Sequence, residues 1–243
     1  MTLVTSELGF NKLVRLEDFT NPELIEAIRD VCAHKIDGFG PQFPAGAEHR
    51  KDWEVAMAIR ALRHFGALHS EARILGVAAG YEDTIFYLTR HAKEVVAVDL
   101  YMIPGVWQPV APLSMLIEPE IIAPFEFDAD RLVVRHMDGR WLRFPADSFD
   151  GIFSSGSIEH FGTFHDVANA AYEMGRVLKP DGVLTLSTEF RLDGPLGGIG
   201  WPGNMLLFSR ENLQKYIVDA SGLEFVDELD TAMSEETSST RVG

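Results

Sequence analysis

Between Arg73 and Thr188, five short runs rich in Val, Ile and Leu recur with helical or turn-rich stretches between them. They are Arg73–Val77 (RILGV), Glu94–Leu100 (EVVAVDL), Arg131–Arg135, Phe149–Ser154 (FDGIFS) and Val183–Thr188 (VLTLST). Helices are expected over Glu82–His91 and over His165–Leu178, the second ended by Lys179-Pro180-Asp181-Gly182. Buried strands alternating with helices predict an α/β domain, doubly wound, with a mostly parallel sheet and helices on both faces. Such sheets bind ligands beyond the carboxyl ends of their strands, so the turns that follow the strands are where chemistry is to be sought.

The rest of the 243 residues frames this core. Residues 1–70 read as an N-terminal helical extension. Asn21-Pro22-Glu23 carries helix-start signals, with Leu24, Ile25, Ile28, Val31 and Cys32 on one face. The loop Gly38–Gly46 follows, and then a second helix over Glu48–Phe65 with Trp53, Ala56, Met57 and Leu62 inward. Residues 71–230 form the expected sheet domain. Ser209 caps a helix that runs to about Ala220, Gly222 follows its end, and a sixth strand is expected at Glu224–Leu229. Residues 231–243 read as a polar, loose tail.

Charge and composition exclude several classes. Acids outnumber bases 37 to 21, a formal net charge of -16 that repels phosphate backbones, so no nucleic-acid partner is expected. No apolar run approaches the ~18 residues of a membrane span, and the start shows no signal-peptide pattern. The single cysteine, Cys32, forms no internal disulfide and suits a reducing cytoplasm. Cytoplasmic location, no membrane and no metal site are the resulting expectations.

The turn after the first strand, Gly76-Val77-Ala78-Ala79-Gly80-Tyr81-Glu82, is built of small residues and lets a ligand approach the backbone. A plain tight turn explains it as well. The dinucleotide pattern G-x-G-x-x-G, laid on Gly76, meets Ala78 and Tyr81 in its glycine places, which disfavours a nicotinamide dehydrogenase. Asp99 closes the second strand 23 residues after Gly76. A carboxylate there can accept two charge-assisted hydrogen bonds from a ribose diol, worth ~1.5–3 kcal/mol each, so a nucleoside-bearing cofactor is expected. Asp138 follows the third strand, either accepting from an adenine amine or forming an ordinary Asp-Gly turn.

Four stretches in order, ILGVAAGYE, VVAVDLY, MDGRWLRFPADSFDGIFSSGSIEHF and YEMGRVLKPDGVLTLS, resemble the class I S-adenosylmethionine-dependent methyltransferases of the small-molecule type. They span residues 73 to 188. The resemblance implies a Rossmann-like fold, S-adenosyl-L-methionine as cofactor and a seven-stranded sheet with its last strand antiparallel. It places Gly76, Ala78 and Gly80 under the methionine part and Asp99 on the ribose hydroxyls. Leu100 would lie beside the adenine, Asp138 and Gly139 at its edge, and Ser155 and Gly156 near the sulfonium. The chain departs from the family where an acid often stands at Gly76 and glycine at Ala78 and Glu82. Glu82 either accepts from the methionine amino group or favours the helix N-terminus. Little chain remains for a seventh strand, which is absent or displaced.

His160 is the first candidate for a general base and Glu159 the second; equally, Glu159 starts the next helix and His160 packs beneath the cofactor. Two segments are candidate lids, the Pro- and aromatic-rich Met102–Ala129 and the glycine-rich Gly194–Asn204 with Trp201. His49, Arg50 and Trp53 are candidate wall residues. The acceptor is expected to be a small hydroxylated molecule, such as a sugar or a sugar-linked intermediate, facing the Ser154–Ser157 rim. A silent S-adenosylmethionine-binding or interaction protein of the same fold is the alternative.

Overall fold

The computed structural model describes residues 8–105, 107–192 and 205–239. The chain divides into two compact units, residues 1–57 with 225–243, and residues 58–224.

The larger unit holds a five-stranded, wholly parallel sheet in the order β3-β2-β1-β4-β5. Its strands are β1 (Arg73–Val77), β2 (Glu94–Asp99), β3 (Leu132–His136), β4 (Phe149–Ser155) and β5 (Leu178–Ser187). The order reverses between β1 and β4, which opens a crevice at their carboxyl ends. The sequence of the inner strands follows from burial: residues 74–77 of β1 and 95–98 of β2 are buried and all apolar or glycine, as a strand covered on both faces requires, while Arg73, Glu94 and Asp99 stand at the partly exposed strand ends. One side packs Leu75, Val77, Val96, Val98 and Ile152 against Val167, Met174 and Val177 of the Phe164–Val177 helix. That helix starts at a capping box: Thr163 Oγ1 accepts from Asp166 N, and the Asp166 carboxylate accepts from Thr163 N at 2.8 Å.

Two of the expected strands differ from the sequence expectation. The strand β5 begins at Leu178, not Val183, because Lys179–Gly182 is absorbed into it as a bulge. Phe149 faces Leu178 while Gly151 faces Val183, and Asp181 takes a φ of 64° within the bulge. No strand forms at Glu224–Leu229. The smaller unit has only an isolated bridge there, between Lys12 and Asp230. The Asp227 carboxylate accepts from Phe10 N at 2.7 Å, from Asn11 N at 2.9 Å and from Asn11 Nδ2 at 2.6 Å. A side-chain acceptor, rather than a backbone ladder, fastens that stretch.

The remaining helices follow their caps. In the smaller unit, Asn21 Oδ1 accepts from Glu23 N and Leu24 N to start Pro22–Val31. Trp53, Ala56, Met57 and Leu62 of the helix Arg50–His64 are buried. Ser209 Oγ accepts from Asn212 N and starts a helix that passes through a π turn at Gln214–Val218 and ends at Gly222, φ 71°. Within residues 231–243, expected as a loose tail, Glu235–Ser239 is helical. Thr237 there is buried, accepting from Leu16 N and donating to Glu17 Oε2. The described residues of Met102–Ala129 form short helical pieces, Ser114–Ile117 and Pro119–Ile121, with a further turn, Ala129–Arg131, starting at its end, as its prolines dictate. Among the described residues no helix is long and apolar enough to cross a membrane.

Candidate functional site

The turn leaving β1 is held by the acid that closes β2. Gly80 N donates to Asp99 Oδ2 at 2.8 Å, and Leu100 N donates to Asp99 Oδ1 at 2.6 Å. Gly80 has φ 53°, and a Cβ there would collide with the Val110 carbonyl, so only glycine fits. Its own carbonyl accepts from the hydroxyl of the fully buried Tyr101 at 2.7 Å. Burial pushes the Asp99 carboxyl above the usual carboxylate range, against the opposing pull of the two backbone donors. Burial also raises the Tyr101 phenol, reinforced by the charges of Asp99 and Glu82, so that hydroxyl stays a protonated donor. Each Asp99 oxygen retains a second lone pair for a ligand.

Two residues of this turn are shaped by other forces. Gly76 lies in register with Phe153 of β4, whose ring fills the space of any side chain at 76. Ala78 takes φ 49°, the left-handed region in which a Cβ costs about 1–2 kcal/mol. Glu82 precedes the Asp83–Leu88 helix at its N-cap position, without capping it through its side chain.

Beyond β3, the Asp138 carboxylate is gripped by Arg140. Arg140 Nη2 lies 2.7 Å from Oδ2, and Arg140 N and Nε lie 2.9 and 3.0 Å from Oδ1. Burial alone would raise Asp138, but the Arg140 hydrogen bonds and charge outweigh it and hold the carboxyl below its ordinary range. Arg140 also reaches Asp166 at 3.2 Å. Gly139 faces Val77 and the Phe161 ring, too close for a side chain.

Beyond β4, Gly156 takes φ 58°, and its N–H donates to both the carbonyl and the hydroxyl of Ser187, each at 3.0 Å. Ser155 is buried in register with Ser187, and Ser154 Oγ lies 3.0 Å from Ser157 Oγ. Glu159 is only 2% exposed. Its carboxylate accepts from Thr188 Oγ1 at 2.9 Å, and its carbonyl accepts from Leu206 N. His160 is half-buried, with Nδ1 shielded and unpartnered among the described residues. Burial lowers its pKa below the ordinary imidazole value, partly offset by the Glu189 charge. The Trp107 ring packs on the imidazole, centroids 4.9 Å apart.

Asp99, Leu100 and Gly80 are thus directly joined. Asp138 and Gly139, and the pair Glu159 and His160, follow the neighbouring strands. Sequence reasoning missed Tyr101, Trp107, Arg140 and Ser187. Asp-Gly-Arg was a legible signal for Arg140, whereas Trp107 and Ser187 reach their partners only through tertiary packing. Of the expected wall residues, the Trp53 indole donates to Asp18 and Arg50 pairs with Glu54, both within the smaller unit. The Gly194–Asn204 segment lies outside the described residues. Among the described residues no group of three His, Cys, Asp or Glu is placed to hold a metal ion.

Comparison with known proteins finds a family model that matches part of the chain. Residues 75–186 match the family model for a methyltransferase domain. Solved structures similar to the chain include the [4+2]-cyclase SpnF, at 19% identity over 84% of this chain and 70% of that one, TM-score 0.52. Others are the YcgJ protein from Bacillus subtilis (26% identity, 56% and 50% covered, TM-score 0.42) and an S-adenosylmethionine dependent methyltransferase from Mesorhizobium loti (24%, 58% and 54%, TM-score 0.39). The chain spans about half the length of the first solved structures it matches. No curated protein matches it.

Proposed function

We propose that this chain, a class I S-adenosylmethionine-dependent methyltransferase by its residues 75–186, transfers a methyl group to a small molecule that bears a hydroxyl. The observation that carries the reading is the Asp99 carboxylate, tied to the Gly80 turn where the strand order reverses, with lone pairs left for a sugar diol. The residues present suit the cofactor: Gly80 is sterically confined to glycine, an acid closes β2 and another follows β3. Asp99 would hold the ribose, with Leu100 beside the adenine and Asp138 and Gly139 at its edge. Ala78 and Gly80 would lie beneath the methionine part with Gly76 behind them, and Ser155 and Gly156 near the reacting sulfur. When bound, the cofactor supplies an electrophilic methyl group on a sulfonium.

The chain's own task is then placement and proton handling. Orienting the acceptor in line with the methyl group can supply about 7–11 kcal/mol of the barrier. His160 takes the hydroxyl proton, worth about 10²–10⁴-fold. Burial favours the neutral imidazole, so the base is ready at neutral pH. Glu159, buried and bonded to Thr188, is better suited to fixing the strand-to-helix turn than to carrying a proton. The Trp107 ring helps to keep water from the imidazole.

The test is calorimetric titration with S-adenosylhomocysteine, then methyl transfer from labelled donor to hydroxyl-bearing acceptors. Absence of binding ends the reading. Binding without transfer selects a silent S-adenosylmethionine-binding protein, a second reading favoured by the strained Ala78 and the blocked position 76. SpnF, of similar fold, is itself named for a cyclisation.

A further inference from the structure

The stretch Leu100–Ile117 contains no Asp, Glu, Lys, Arg or His, although charged residues make up 24% of the chain. It leaves the carboxyl end of β2 and meets the candidate site twice. Trp107 packs on His160, and the Val110 carbonyl lies against Gly80. Ala111 and Met115 are buried and anchor it. Around these anchors Met102, Ile103, Val110, Leu113 and Ile117 stand exposed, Met102 at 60% and Ile117 at 71%. Water-facing apolar side chains so concentrated are costly unless something covers them.

The sheet topology adds to this. Exposed apolar side chains also follow three of the other four strands within five residues of their carboxyl ends: Tyr81 after β1, Trp141 after β3 and Leu192 after β5. A parallel sheet brings all these connections to one end, the end that carries Asp99 and His160. We infer that the acceptor has a neutral, predominantly apolar body, bound along the Met102–Ile117 segment with its nucleophilic hydroxyl directed toward His160. The uncharged segment offers no partner for an ionic acceptor and few hydrogen bonds for a free sugar, whereas burying a flat apolar body there removes both surfaces from water. The expected sugar is thereby replaced by a hydroxyl on an apolar frame.

This inference rests on the methyl-transfer reading for the chemistry of the site, but the apolar face is tested separately. The full chain, with and without S-adenosylhomocysteine, is titrated with Nile red, a neutral apolar dye, and then challenged with 2-naphthol or glucose. Saturable binding displaced by 2-naphthol and not by glucose is expected, with the affinity falling at least tenfold in the double variant Ile103→Asp, Leu113→Asp. Displacement by glucose, or unchanged dye binding in the variant, overturns the inference. So does light scattering that shows a dimer converted to a monomer by the variant, since the face would then belong to a second copy. Failure of the methyltransferase reading is distinct: no S-adenosylhomocysteine binding, whatever the dye does.

Discussion

Phe153 occupies the place of a side chain at residue 76: a Cβ on Gly76 would stand 2.5 Å from the Cζ of its ring. The two residues are paired across β1 and β4, so neither can shift without moving the sheet. The glycine that departs from the family's usual acid is therefore one half of a packing exchange. Replacing Gly76 with Asp should destabilise the chain by about 3 kcal/mol, through overpacking and a carboxylate buried against an aromatic ring. Urea midpoints measure this, and Phe153→Leu in the same chain should recover part of the loss. An unshifted midpoint would show that the ring yields freely.

Ala78 predicts the opposite sign. Its φ of 49° costs about 1–2 kcal/mol, while glycine there would cost about 0.5–1 kcal/mol in unfolded-chain entropy. Ala78→Gly should raise stability by about 0.5–1 kcal/mol by thermal or urea unfolding. A lower stability would mean that the methyl group makes packing contacts worth more than the strain.

Asp99→Asn should weaken S-adenosylhomocysteine binding at least tenfold, about 1.4 kcal/mol, by removing a charged acceptor. The same change alters pH dependence. Because burial raises the folded pKa of Asp99, its contribution to stability is full below the unfolded value of about 3.9 and is lost as pH rises through the folded value. Unfolding curves from pH 3 to 7 should show that loss in the native chain and not in the variant.

His160 carries a lowered pKa, so the acidic limb of the turnover profile should fall below the unperturbed ~6.5. Its linkage runs the other way from that of Asp99. The unfolded chain binds the proton first, so the native state loses stability as pH falls from about 6.5 toward the folded value. His160→Ala should lower kcat more than S-adenosylhomocysteine affinity. Full turnover at saturating donor would remove the imidazole from the mechanism.

Arg140→Met should release Asp138 and Asp166 together. Asp138 is held below its ordinary value, so its contribution is present above about 3.9 and lost as pH falls through the folded value. In the variant, NMR titration should find the Asp138 pKa higher, and stability at neutral pH should drop by about 1 kcal/mol, as for a favourably placed, partly buried pair. An unmoved Asp138 titration would show that Arg140 does not set its charge.

The amino-acid order by itself determined the strands β1 to β4 to within about one residue and the helix caps at Asn21 and Ser209. These depend on local matters: the period of apolar residues, and side-chain oxygens that reach backbone donors two or three residues on. It also pointed to Asp99, because an acid at the end of a buried strand is conspicuous. Tertiary structure alone decided the bulge that starts β5 early, the fastening of Asp227 by Asn11, the ring that fills position 76 and the Trp107 cover on His160. Each joins residues distant in sequence, and the winner among competing partners is set by space and by desolvation of polar groups, quantities that exist only once the chain has closed upon itself.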